Sequence, residues 1–202
     1  MKPSRERDAA LLRRVMKSYD GKASSYDDIH GHEQRIKHSI ALARLRDRLR
    51  EATSCLDCGC GTGLLLEELK DLFRDSDGML VGLDVSAGML RMASNRRGCE
   101  AFQLIRGDSN NIPIKRGVFD LIFAFTILDG EVNGFDTLRE LSRVSTSNGL
   151  IVASTLRSSL MASTFSEHIR ESGLKILEAI DLKGLNEVIL ILGKGDGSTL
   201  RD

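Results

Sequence analysis

Three acids and three glycines hold most of the chemistry this chain can offer. Asp57 stands directly before Cys58-Gly59-Cys60-Gly61-Thr62-Gly63, Asp84 closes the apolar run Met79-Leu80-Val81-Gly82-Leu83, and Asp108 follows Ala101-Phe102-Gln103-Leu104-Ile105-Arg106-Gly107. Glycine at every second position of a loop permits φ > 0 and leaves no Cβ in the way of a ligand. A helix starting just after the loop turns its free N–H groups and positive dipole end back into it. A carboxylate at the end of the second strand is placed to accept hydrogen bonds from both hydroxyls of a ribose. Asp108, one strand further out, is placed to meet the exocyclic amine of a base. Asp57, behind the glycine loop, suits a cationic or amino group. A pyrophosphate needs the spacing G-x-G-x-x-G, but position 64 is Leu and an anion beside Asp57 is repelled. No lysine follows in the loop, which excludes a P-loop. The expected ligand is a nucleoside carrying an amino acid.

The elements that position these groups follow from periodicity. Strands are expected at 53–57, 79–84, 101–106, 118–125, 149–154, 174–181 and 185–193, with crossover helices at 64–73, 86–95, 134–144 and 158–171. Only Leu182-Lys183-Gly184 separates the last two strands, too little chain for a helical crossover, so they pair antiparallel. The fold class is α/β: a doubly wound, mostly parallel, seven-stranded sheet closed by a C-terminal antiparallel hairpin, with helices on both faces. Gln103 and Arg106 mark the third strand as an edge. Ahead of the sheet, residues 5–19 are helical in pattern and break at Tyr19-Asp20-Gly21; Gly31 punctuates again. A further helix over 33–50 carries an apolar stripe through Ile36, Ile40, Leu42, Leu45 and Leu49. The organisation expected is a helical lid or extension over 1–50, a ligand-binding domain over 51–194 and a tail over 195–202.

Composition narrows the class. The chain has 202 residues, 41% of them hydrophobic, and no apolar run long enough to span a membrane. No signal-peptide core follows Met1, so a cytoplasmic location is expected. Cys55, Cys58 and Cys60 are spaced too closely to form two ligand pairs for zinc and are expected to line the loop as small buried residues; no metal is expected. The formal net charge is zero, which argues against a general nucleic-acid binder. Its distribution is uneven: residues 1–50 hold 13 Lys and Arg against 7 Asp and Glu, and the remainder hold 16 against 22.

Taken together, Leu56-Asp57-Cys58-Gly59-Cys60-Gly61-Thr62-Gly63, Gly82-Leu83-Asp84-Val85-Ser86-Ala87-Gly88-Met89-Leu90, Gly107-Asp108 and Phe119-Asp120-Leu121-Ile122 resemble the class I S-adenosylmethionine-dependent methyltransferases, over roughly residues 50 to 193. The resemblance implies a Rossmann-like fold and S-adenosylmethionine as cofactor. It implies that Gly59, Gly61 and Gly63 back the methionine part, that Asp84 takes the ribose hydroxyls, and that Val85 covers one face of the adenine. Asp108 would take the adenine amine with Ser109 nearby, and Phe125 would lie where the fourth strand opens toward the methyl group. The N-terminal segment is similar to the lid of small members of this superfamily; by that similarity Tyr26 folds over the cofactor and Lys37 or Arg35 meets its carboxylate.

The acceptor is less constrained. Phe125-Thr126-Ile127-Leu128-Asp129 lacks the Asn/Asp-Pro-Pro-aromatic turn frequent in methyltransferases of amide and base nitrogens. Asp129 and Glu131 are the candidates for orienting or deprotonating an acceptor. His30 and His32 are read as surface residues. With no separate substrate domain, a large acceptor such as RNA or a translation-related protein, docked on the basic N-terminal third, is one expectation. Related small enzymes of the translation apparatus pair their sheet edge with a zinc-ribbon activator, and Phe102, Leu104 and Ile105 are compatible with such a partner. A small-metabolite O-, C- or N-methyltransferase is the alternative. A non-catalytic cofactor-binding scaffold is the second alternative, against which the intact loop, Asp84 and Asp108 stand.

Overall fold

The computed structural model describes residues 2–73, 78–128, 134–161 and 163–195. Its sheet has seven strands: β1 (Ser54–Cys58), β2 (Met79–Asp84), β3 (Gln103–Arg106), β4 (Phe119–Ala124), β5 (Ser145–Leu156), β6 (Leu174–Asp181) and β7 (Glu187–Lys194), in the order β3-β2-β1-β4-β5-β7-β6. The first five run parallel, and β7 lies antiparallel between β5 and β6. The chain winds outward from β1 in both directions, so the switch point lies between β1 and β4, where an open α/β sheet binds its ligand. All five residues of β1 are buried, as expected of a strand covered on both faces. Side chains alternate: Leu56 and Cys58 enter the core beneath α6 (Gly134–Val144), while Cys55 faces the opposite layer.

That second layer is built from α4 (Leu64–Phe73) and from the helices α2 (Tyr26–Arg44) and α3 (Arg46–Glu51), while the first helix, α1 (Lys2–Lys22), packs on α5 (Ala87–Ser94). Leu65, Leu69 and Phe73 recur at helical steps and bury against the sheet. α5 starts at Ser86, whose Oγ accepts from the Met89 N–H at 3.1 Å, the expected N-cap. α7 (Arg157–Met161) and α8 (Ser163–Glu171) occupy the stretch expected to be one helix over 158–171. Among the described residues no helix is long and apolar enough to cross a membrane.

The N-terminal helices depart most from expectation. α1 runs through Tyr19-Asp20-Gly21, and α2 runs through Gly31, because a lone glycine costs a helix only about 1 kcal/mol when tertiary contacts hold it. The helix expected over 33–50 is instead interrupted at Leu45. The expected apolar stripe is buried at Leu45 and Leu49 and packed against the core at Ile40 and Leu42, but its first member faces outward. Ile36 is 36% exposed, and the buried positions of α2 are Gly31, Gln34, Lys37, His38 and Ala41. This polar face finds partners in the sheet. Lys37 is fully buried, with Nζ at 3.0 and 3.1 Å from the two carboxylate oxygens of Glu187 on β7, 3.0 Å from Thr126 Oγ1 and 3.2 Å from Glu33 Oε1. Three N–H donors meet three residues, so the ammonium is saturated.

Breaking that pair should be costly. Lys37→Met or Glu187→Gln each leaves a buried group without its partner, and urea denaturation is expected to show a loss of about 3–5 kcal/mol. The double variant Lys37→Met/Glu187→Met should lose less than either single one, since it removes both desolvated charges.

Candidate functional site

The carboxyl ends of β1, β2, β3 and β4, roofed by α1 and α2, enclose a cleft of about 830 Å³. Gly59, Gly61, Asp84, Val85, Asp108, Ser109, Phe125 and Tyr26, all expected at a ligand site, line it together. Gly63 sits just behind. A Cβ there would lie 3.0 Å from Ala93 Cβ, so its absence lets α5 close against the loop. The three loop glycines have φ of 78°, 52° and 80°. A Cβ on Gly59 would come within 2.4 Å of Ile127 Cγ2, whereas one on Gly61 would meet nothing.

The loop spends its own donors. The Gly59 and Cys60 N–H groups donate to Leu83 O at 2.7 and 3.0 Å, Gly63 N–H donates to Cys60 O at 2.8 Å, and Gly61 N–H donates to Asp84 Oδ2 at 2.9 Å. These four amides are thus unavailable to a phosphate, which bears on the exclusion of a pyrophosphate more directly than the spacing did. Asp84 Oδ1 accepts from Ser86 N–H at 2.8 Å. Burial pushes the Asp84 carboxyl up while these backbone donors hold it down. Asp108 Oδ1 accepts from Asn110 N–H at 2.9 Å, a turn that fixes the loop after β3.

Asp57 occupies a narrow recess off the cleft, shared with Gln34, His38 and Phe125. It is 4% exposed, and burial together with the Asp84 and Glu68 charges pushes its carboxyl up to about 8. Asp57, buried, and Asp84, half-buried, both carry carboxyls that burial and a neighbouring acid push up, which calls for a cation. Tyr26 is likewise pushed up to about 12, burial being the main cause, so its phenol stands over the cleft as a neutral group.

Two of the expected residues need another account. Lys37 does not line the cleft; its ammonium is committed to Glu187 beneath the floor. Arg35 pairs with Glu68 at 3.4 Å and is also outside the cleft. Asp129 and Glu131 lie outside the described residues. Glu33 and Gln34, part of the segment similar to a lid, line the cleft, and so do Thr126 and His30, which the sequence had not assigned there. Thr126 has φ of 60°, rare for a β-branched residue, with its N–H donating to Ser154 Oγ at 2.9 Å. Nothing local marks such a residue. His30 did have a signal: it follows Tyr26 by one helical turn, and their rings stand 4.9 Å apart.

The roof is fastened to the floor. Asp20 on α1 accepts from Ser86 Oγ at 2.5 Å and Gly88 N–H at 2.7 Å, at the start of α5. Arg96 joins Asp27 on α2 to Glu67 on α4 and donates to Thr62 O at 2.8 Å. The cationic surplus of residues 1–50 is partly consumed in the same way: Lys37 on Glu187, Arg35 on Glu68, and Arg44 on Glu178 at 2.7 Å. Cys55, Cys58 and Cys60 are buried, and burial pushes their thiols up. Among the described residues no group of three or more His, Cys, Asp or Glu is gathered for a metal ion.

Comparison with known proteins places this arrangement. Residues 49–187 match the family model described as a methyltransferase domain. Over 147 residues the chain is 29% identical to malonyl-[acyl-carrier protein] O-methyltransferase of Legionella pneumophila, covering 70% of this chain and 49% of that protein. The chain spans about half the length of the curated relatives it matches. Among solved structures, an S-adenosylmethionine-dependent methyltransferase from Clostridium acetobutylicum shares the fold with a TM-score of 0.70 at 15% identity, covering 89% of this chain and 100% of that one. A chain of the complex between the Haloferax volcanii Trm112 methyltransferase activator and a methyltransferase shares it with a TM-score of 0.68 at 16% identity, covering 88% of this chain and 98% of that one.

Proposed function

This chain belongs to the class I S-adenosylmethionine-dependent methyltransferases, and on that premise we propose that it transfers a methyl group from S-adenosylmethionine bound in the cleft to a small acceptor that enters beside Phe125 and Thr126. The observation that carries the reading is the pairing of a glycine loop whose amides are already used with two acids, the buried Asp57 and the half-buried Asp84. Such a site suits a cationic nucleoside and rejects a phosphate. Asp84 would hold the ribose and Asp57 the amino group; Gly59 and Gly61 leave room for the methionine part, and Asp108 faces the adenine. The cofactor supplies an electrophilic methyl group on a sulfonium. The protein's own contribution is to align the acceptor, exclude water and take up a proton.

A small acceptor is favoured because three cations of the N-terminal third, Lys37, Arg44 and Arg35, are already paired with acids of β7, β6 and α4 and so offer less to RNA. A second reading has its own support. β3 is a free sheet edge, and the chain shares a fold with a chain of a methyltransferase–activator complex, so an activator subunit (a zinc ribbon is the type proposed) could pair there and serve an RNA or protein acceptor. Calorimetry with S-adenosylhomocysteine tests the cofactor: saturable binding is expected, and its absence, or a preference for NAD, overturns the reading. Salt separates the acceptors, since RNA binding weakens steeply with ionic strength whereas turnover of a small acceptor changes little.

A further inference from the structure

The floor of the cleft beyond the expected cofactor contacts holds an arrangement that the methyl-donor reading leaves unused. Thr126 Oγ1 accepts two hydrogen bonds, from Lys37 Nζ at 3.0 Å and from Gln34 Nε2 at 3.3 Å. A hydroxyl has two lone pairs and one proton. With both lone pairs occupied, the Thr126 O–H is left to donate, and Thr126 is an exposed residue of the cleft wall. One of the two donors is an ammonium, which polarises the hydroxyl and strengthens its own donation. The same ammonium binds Glu33 Oε1 at 3.2 Å, and Glu33 also lines the cleft with its side chain 41% exposed. One buried lysine therefore sets a hydroxyl donor and a carboxylate acceptor side by side beneath α2.

We propose that Thr126 and Glu33 form the acceptor subsite of this enzyme, positioned by the buried Lys37–Glu187 pair, and that it selects a neutral hydroxyl acceptor, a phenol or an alcohol; the proposal rests on the cleft binding the methyl donor. The match is chemical. A hydroxyl oxygen has two lone pairs, one to accept from Thr126 and one to attack, and its proton faces Glu33. An amine has a single lone pair, which the Thr126 donor would occupy. A carboxylate acceptor is disfavoured because Glu33 and Glu187 outnumber Lys37 and leave the cluster with net negative charge. In the transfer, the acceptor oxygen forms a bond to the methyl carbon while the carbon–sulfur bond breaks and its electron pair stays on sulfur as a neutral thioether. The hydroxyl proton passes to the Glu33 carboxylate and on to solvent. Lys37 and Glu187 touch neither reactant; they are positioning residues.

The test uses the full chain, labelled S-adenosylmethionine and four probes of one shape: naphthol, naphthoate, naphthylmethylamine and naphthalenethiol. Methylation of naphthol at least about tenfold faster than of the other three is expected. Glu33→Gln should lower kcat by about a hundredfold and remove the acid limb of the pH profile, as loss of a general base does. Thr126→Val should lower kcat/KM about tenfold, with Thr126→Ser restoring most of it, one hydrogen bond being at stake. S-adenosylhomocysteine affinity should be unchanged in all three. Lys37→Met should follow Thr126→Val in acceptor KM. Preference for another probe, turnover of none, or a Glu33→Gln enzyme with the wild-type rate and pH profile overturns the proposal. Failure of the wild-type protein to bind S-adenosylhomocysteine would instead remove the methyl-donor reading beneath it.

Discussion

Asp57→Asn is expected to make the cofactor-free protein more stable and the cofactor much harder to bind. The folded chain holds the Asp57 carboxyl at about 8, far above the ordinary carboxylate range, because it is buried beside Asp84 and Glu68, with no cation paired to it among the described residues. Below about pH 4 the group is protonated in the folded and unfolded chain alike and contributes no difference. Between there and about 8 the unfolded chain has released the proton and the folded chain keeps it, so stability falls as pH rises through this window. Above it, the full cost of a buried, ionised carboxylate remains. Asparagine cannot ionise and escapes that cost; its melting temperature at neutral pH should exceed that of the wild type by roughly 5 °C. Binding moves the opposite way. The amino group of S-adenosylmethionine needs the ionised carboxylate, so wild-type affinity should rise by up to about tenfold per pH unit toward 8 and then level off. The asparagine variant should bind weakly at every pH, with that dependence gone. Calorimetric titrations with S-adenosylhomocysteine across this range, beside thermal melts of the free protein, measure both arms. An affinity that stays flat with pH in the wild type would show that Asp57 does not meet the ligand's ammonium.

Asp84→Ala should abolish measurable binding of S-adenosylhomocysteine, a loss of at least about a hundredfold, since two or more hydrogen bonds to a charged group disappear together. The structure enlarges the reason. Beyond any contact with a ribose, Asp84 holds Gly61 N–H at 2.9 Å and Ser86 N–H at 2.8 Å, so it ties the glycine loop to the start of α5. Removing the carboxylate frees the loop as well as the ligand. Asp84→Asn keeps an oxygen acceptor and should retain partial affinity, about tenfold below wild type. Far-UV circular dichroism should report an intact fold for both. Wild-type affinity in the alanine variant would refute the ribose assignment.

The parts of the molecule that the sequence made legible share one property: their signals are local. The glycine loop, the acids at strand ends, Ser86 as a cap and the short link between β6 and β7 each depend on residues within a few positions, because turn geometry and strand alternation are set at that range. The strand intervals carried the doubly wound sheet in the same way. The parts that stayed hidden are pairings across the chain. Glu187 meets Lys37 over 150 positions, and Thr126 meets it over 89. α2 misled periodicity in the turns around Lys37; Ile36 lies outward and Lys37 inward there, since the ground beneath that part of the helix is a carboxylate and a hydroxyl, while Ala41, Ile40 and Leu42 further along meet the apolar layer. Lys37 was expected to meet the carboxylate of a bound ligand; in the folded chain a carboxylate of the sheet already satisfies it. Likewise the positive surplus of the first 50 residues, suggestive of an external partner, is partly neutralised on Glu68, Glu178 and Glu187.

By itself, then, the order of residues determined the cradle: a loop that takes positive φ, three acids at successive strand ends, and no place for a phosphate. Which cation fills the gap under the roof, where Thr126 points its hydroxyl, and which carboxylate stands beside it were decided only when distant segments came together. A buried charge has no preferred neighbour along the chain and accepts whichever partner the fold delivers.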